Sequence, residues 1–278
     1  MHLSTILHDT VAEVQPRALG EASLIVRADQ GKTRLVDLRQ SGCLKLILPS
    51  TRQNALQAVM VNTAGGITGG DRLSLRADVG AGASLVLTTQ AAERVYRAQG
   101  AEVGEVETNL TVGDGGLLHW LPQELILFDQ SALRRKLRIN LALTARFLMV
   151  ESVVFGRTEM GETLKNVNIR DGISIYRDGV LLYLDGMRLL GDAAAHMLRP
   201  AVGDGARAMA SLVFVAPEAS VCLNAVREIL PNTAGASILA DDMMVLRVVA
   251  SDSYSLRKSL IPVLNYLTDN QLPAVWRI

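Results

Sequence analysis

Residues 61–72 read VNTAGGITGGDR, a dozen positions that hold four glycines, an acid and a base. Runs like this cradle phosphates when the right residues follow. A Walker loop places lysine directly after its last glycine, whereas here Asp71 follows Gly70, and a carboxylate there repels phosphate. The dinucleotide pattern G-x-G-x-x-G fails as well, because Ile67 and Thr68 separate Gly66 from Gly69. No helix follows to offer its N-terminus, since Leu73–Val79 alternates as a strand. The paired spacing Gly65/Gly69 and Gly66/Gly70 suits a membrane helix, but Asn62, Asp71 and Arg72 flank it too closely. The reading left is structural. Asn62, Gly65, Gly66, Gly69 and Gly70 form a bend between a strand over Ala55–Val61 and another over Leu73–Val79. Asp71 shares odd parity with Leu73 and Leu75, so its carboxylate points toward the apolar face. It either caps the N–H groups of the loop or serves as a ligand.

A second acid stands in FLMVESVVF, residues 147–155, where both faces are apolar. Glu151 is therefore removed from bulk water in either register. It must be paired, protonated or beside internal water, and Arg157 and Arg146 are the nearest basic partners along the chain. Glu159 and Glu162 follow in GRTEMGE, where Gly156 and Gly161 suggest another tight loop; their alternative is plain surface exposure. Glu93 in AAERVYR pairs with Arg97 if that turn is helical. Gln123, Glu124 and Asp129 flank a short apolar run and suit a partner surface. His2, His8, His119 and His196 do not cluster at metal-ligand spacing, and Cys43 and Cys222 form no C-x-x-C pair. A structural zinc site is not expected, and two inert thiols fit a reducing cytoplasm.

The elements that must position these residues are mostly strands. Leu73, Leu75, Ala77 and Val79 alternate with polar residues, as do Leu137, Ile139, Leu141 and Leu143, and again Val106, Thr108, Leu110 and Val112. This period of two builds strands with one face on a core. Ser84–Thr89, Leu44–Leu48 and Ala55–Val61 are shorter and more buried in character. Gly113–Gly116, Asp171-Gly172 and Asp178-Gly179 read as turns between them. The regular helix between strands that a doubly wound fold demands is missing.

Two helices are expected near the C-terminus. One lies between Pro217 and Pro231, with Val221, Cys222, Ala225, Val226 and Ile229 on one face. The other spans Asp252–Thr268, with a stripe of Leu256, Leu260, Val263, Leu264 and Leu267 that Pro262 should kink or split. A strand over Met243–Val249 lies between them. The helical stripes and Trp276 suit either core or partner surface. With no low-complexity linker in sight, the chain reads as one mainly β domain over residues 1–278, a stack of many short strands.

Charge and hydropathy narrow the function. Lys+Arg and Asp+Glu both number 28, so net charge is zero. There is no broad electrostatic footprint for nucleic acid or an anionic membrane. No run of about 18 residues is uncharged and strongly apolar, so no spanning helix is expected. The start, MHLSTILHDTVAEVQPRALG, lacks a basic stretch followed by an apolar one, which argues against secretion. A mean hydropathy of +0.23 with 49% hydrophobic residues fits either a well-filled β core or an apolar surface that a partner covers. Aromatic residues are only 4%, poor for stacking sugars.

Taken together, NTAGGITGGDRL, TTQAAERVYR at 88–97, LPQELILFD at 121–129 and GRTEMGE at 156–162 resemble the segments of the urease accessory protein family UreD (UreH in some organisms). The motifs occur in order and span most of the chain. The resemblance implies a superhelical stack of strands with two helices and a nickel-delivery scaffold rather than an enzyme. It also implies binding to UreF, which recruits the GTPase UreG, with the assembly docking on apo-urease; a dimer of such heterocomplexes is consistent with this. Nickel would be cargo in transit, not a tightly bound cofactor. Carboxylates spaced through an apolar interior suit that passage, because oxygen ligands hold a divalent cation weakly and exchange quickly. Asp71, Glu151 and Glu162 are the candidates. The rival readings are a β-helical carbohydrate-processing enzyme with paired carboxylates and a structural adaptor with no role for nickel.

Overall fold

The computed structural model describes residues 16–50, 54–157 and 160–277. Strands dominate, and they assemble into two sheets that wind around each other. One sheet has seven strands: β14 (Val180–Gly191), β13 (Val167–Arg177), β11 (Ala132–Leu141), β8 (Gly104–Val112), β5 (Arg72–Val79), β1 (Leu19–Asp29) and β2 (Lys32–Gly42), in that order. The other runs β16 (Ala234–Ala240), β17 (Met243–Ala250), β15 (Ala208–Val215), β12 (Arg146–Phe155), β9 (Leu117–Leu121), β6 (Ser84–Thr89), β4 (Leu56–Asn62) and β3 (Leu44–Ile47). Two short strands, β7 (Glu93–Val95) and β10 (Leu125–Leu127), lie off this path, with β10 pairing both β7 and β12.

The middle of each sheet is parallel. β1, β5, β8, β11 and β13 pair in parallel in one sheet, and β4, β6, β9 and β12 do so in the other. The chain passes from one sheet to the other and back, so each circuit adds a strand to both, and the stack makes about four turns. The mainly β, superhelical expectation is met. At the ends of the stack the pairing reverses: β2, β3 and β14 are antiparallel to their neighbours, as are β15, β17 and β16.

Two cores follow from this arrangement. The first lies between the sheets and takes the odd-numbered side chains of β5, β11 and β12, including Leu73, Leu75, Leu137, Ile139, Phe147 and Met149. The second lies between the outer face of the second sheet and two helices, α2 (Ala219–Ile229) and α3 (Ser253–Leu267). β12 belongs to both, which is why both its faces are apolar and its residues from Phe147 to Phe155 are all buried.

Several expectations need correction. A third, short helix, α1 (Ala193–Met197), precedes the two foreseen, capped by the Asp192 carboxylate. Pro262 neither splits nor ends α3, which runs from Ser253 to Leu267 with the proline inside. Asp171-Gly172 is no turn; it lies within β13, whose register with β11 runs through it unbroken. Asp178-Gly179 does make the tight connection from β13 to β14, with both residues at positive φ. No described helix is long and apolar enough to cross a membrane.

Candidate functional site

The glycine loop completes the first turn of the stack. Ile67 forms a parallel bridge with Val95 of β7, whose partner in β10 is Leu127, which in turn faces Phe155 of β12. All four side chains are buried, so they form an apolar ladder along the stack. The glycines let the loop reach that place. A Cβ on Gly66 would lie 2.2 Å from the Tyr96 ring, and one on Gly69 would lie 2.4 Å from the Glu102 carbonyl oxygen. Gly70 sits at φ +86°, a conformation that favours glycine. Asn62 holds the other end, its amide donating to the Gly66 carbonyl at 3.0 Å.

Asp71 is 5% exposed and closes this loop. Its carboxylate accepts from the Thr68 amide at 2.8 Å and from the Ala18 amide at 2.8 Å, while the Asp71 amide donates back to the Thr68 carbonyl at 3.2 Å. Glu162 acts similarly one face away. It accepts from the Arg157 amide and side chain, each at 3.0 Å, and from the Asp129 amide at 3.3 Å. The Arg157 guanidinium, which lies over the Phe128 ring at 4.2 Å, holds the Glu162 carboxyl below its usual range. Glu159 lies outside the described residues.

Glu151 has different surroundings. It is 6% exposed and points between the sheets. The Trp120 indole N–H donates to its Oε1 at 2.6 Å, and Arg135 Nη1 approaches its Oε2 to 2.5 Å, close but out of line for a hydrogen bond. Arg135 also binds Asp171 through Nε at 3.0 Å and Nη2 at 2.5 Å. The partner of Glu151 is thus Arg135, not Arg157 or Arg146; Arg157 binds Glu162, and Arg146 binds Glu218. Burial raises the Glu151 pKa, the Arg135 charge opposes that, and the neighbouring Asp171 adds to it. Burial works against the Arg135 charge too, but Asp171 and Glu151 keep its proton firmly on.

Arg135 and Glu151 stand between two small, partly open cavities. One, of about 60 Å³, is lined also by Glu93, Thr108, Trp120 and Gln123. The other, of about 40 Å³, is lined by Asp171, Asp185, Ser211 and Arg247. Glu93 is not in a helical turn with Arg97; it belongs to β7 and accepts from the Asn62 amide at 3.1 Å. Burial raises its pKa against that hydrogen bond. Asp185 pairs with Arg247 at 2.5 Å and accepts from the Tyr183 hydroxyl at 3.2 Å. Four carboxylates, Glu93, Glu151, Asp171 and Asp185, thus line the two cavities; Arg135 is buried between Glu151 and Asp171, while the exposed Arg247 reaches Asp185 from the surface. Asp71 and Glu162 line neither cavity.

Arg135, Asp171 and Asp185 were missed as candidates, although parity marks two of them. Arg135 shares its odd face with Leu133, Leu137 and Ile139, and Asp171 shares one with Ile169, Ile173 and Ile175. Among the described residues no group of three or more His, Cys, Asp or Glu is placed to hold a metal ion. The other polar candidates are engaged within the chain. Gln123 and Glu124 are buried under α3, where Arg257 reaches them at 2.5 and 3.1 Å, so they do not form a partner surface. Trp276 is core, its indole donating to the Leu121 carbonyl at 3.0 Å. Asp129 caps the Lys165 and Asn166 amides.

A family profile described as UreD urease accessory protein matches residues 18–277. The urease accessory protein UreD of Roseobacter denitrificans is 50% identical over 264 residues, covering 95% of this chain and 96% of that protein. That of Ruegeria pomeroyi is 48% identical over 241 residues, covering 87% and 94%. That of Sinorhizobium medicae is 42% identical over 277 residues, covering 97% and 100%.

Proposed function

The chain belongs to the UreD urease accessory protein family, and from that premise we propose that it is a cytoplasmic maturation scaffold. With UreF and the GTPase UreG, it hands nickel to apo-urease through its own interior. Its part in urease maturation is accessory rather than enzymatic. The observation that supports a route through the protein is the set of carboxylates lining two cavities, with the buried Glu151 and Arg135 at their junction.

The chemistry suits transit. Carboxylate oxygens bind a divalent cation, and without soft or imidazole ligands the hold is weak and exchange fast. Arg135 occupies Glu151 and Asp171 when no cation is present, so an incoming ion must compete with a guanidinium already in place. That competition lowers net affinity and speeds release. In this reading Glu151 is the way-station. Asp71 and Glu162 support the route by fixing the loops at its margin, since their oxygens are already taken up by backbone N–H groups.

The test is co-expression with UreF, UreG and apo-urease, reading nickel per urease active site. Glu151→Gln keeps the volume of the side chain and an acceptor for Trp120. We expect nickel occupancy to fall while co-purification with UreF stays intact. Unchanged occupancy in this variant would remove Glu151 from the route. Unchanged occupancy without the chain altogether would leave only a structural adaptor.

A further inference from the structure

The outward face of the seven-stranded sheet changes character toward β14. Register sets Arg134 of β11 beside Arg170 of β13, and Arg170 beside Arg188 of β14, so three arginines stand in one row. One row along, Lys136 stands beside Gly172 and Gly172 beside Gly186; the next row is Arg138, Ser174 and Leu184. The outward residues of these three strands include no carboxylate, because Asp171 and Asp185 point inward. Arg134 reaches Glu105 on β8 at 3.0 Å, and Arg138 stacks on Tyr176 at 4.2 Å. Among the described residues, Lys136, Arg170 and Arg188 have no ion pair.

Like charges directly opposite one another on a sheet are destabilising. A row of three arginines therefore costs the isolated chain stability, and an anion laid across it removes the cost. We propose that this face docks an acidic surface of a protein partner. Leu184, 70% exposed, and Leu190, 50% exposed, share the face with the arginines, so apolar contact accompanies charge. The Gly172–Gly186 pair leaves a bare shelf between them, with nothing within 4 Å of a Cβ built on Gly172. A partner side chain can rest against backbone there. A nucleic acid would answer the arginines but not the leucines, and the zero net charge of the chain gives it no long-range attraction.

The experiment uses the full chain and two probes, a short peptide of Glu-Glu-Leu repeats and an oligothymidylate of matching length. We expect the peptide to bind at low salt, at least about tenfold more weakly in the Arg170→Glu/Arg188→Glu variant. Leu184→Ser should weaken it further, and the oligothymidylate should not compete. Arg170→Glu alone should raise the Tm by about 1–3 °C, because it relieves the arginine row. Peptide affinity unmoved by the double reversal, or a fall in Tm for Arg170→Glu, overturns the proposal. Equal binding of the oligothymidylate through the same arginines would make this a nucleic-acid face instead. The readout needs no urease, so its failure is separate from failure of the nickel route.

Discussion

A buried charge is tolerated only when its neighbours answer it, and Arg135 shows what that means here. It is the buried cation between Glu151 and Asp171, beside the apolar core between the sheets. Arg135→Met keeps the length of the side chain but leaves two carboxylates unanswered, which costs about 3–5 kcal/mol. Urea unfolding at neutral pH measures it, and a loss below about 1 kcal/mol would mean that the pair is solvated in the native state. His119 gives a second, pH-dependent case. Burial, helped by the Arg146 charge, lowers its pKa to about 4. A base whose folded pKa is depressed contributes stability above its unfolded value near 6.5, and that stability is lost as pH falls from 6.5 toward 4. The loss attributable to this residue is about 2–3 kcal/mol. His119→Asn should flatten the stability profile across that window, as chemical denaturation at pH 7 and pH 4.5 would reveal.

The glycine loop tests the elements. Gly69 lies against a backbone carbonyl, which cannot swing aside as a side chain can. Gly69→Ala should cost about 1–3 kcal/mol, whereas Gly235→Ala, in open space on β16, should fall within about 0.5 kcal/mol of neutral. Equal effects in denaturant titrations would show that the loop adjusts. The alternation of residues made most strands legible; parity turned Asp71 inward, and the two apolar faces around Glu151 marked it as buried in either register. What local pattern could not supply was neighbourhood. Arg135 and Asp171 come together because β11 and β13 are parallel neighbours, a pairing between strands far apart in sequence. Asp171-Gly172 misled for the same reason: the dipeptide suits a turn locally, and only the strand on either side shows it to be extended. Of the two outcomes expected at Pro262, the split does not occur, since packing against the outer face of the second sheet holds α3 together with the proline inside.

At the scale of the molecule, β12 joins two cores, and each core contains one of the two tryptophans. Trp120 reports on the space between the sheets, and Trp276 on the layer under the helices. If the chain is one cooperative domain, as we propose, the cores cannot melt apart, because unfolding either one strips a face of β12. The variants Trp120→Phe and Trp276→Phe each leave a single fluorophore. Their unfolding curves should agree with far-ultraviolet circular dichroism recorded on the same variant, and separated midpoints would divide the chain into two units.

The reversed strands at the ends of the stack bear on growth. A pile of parallel turns has no natural last member, and a second copy could in principle join as the next turn and seed a filament. Here β2 and β3 at one end, and β14 and β16 at the other, run against their neighbours, so an incoming turn finds no parallel strand to continue. The parallel run of the stack therefore ends within the chain, and a further turn would have to pair with a strand that runs against it.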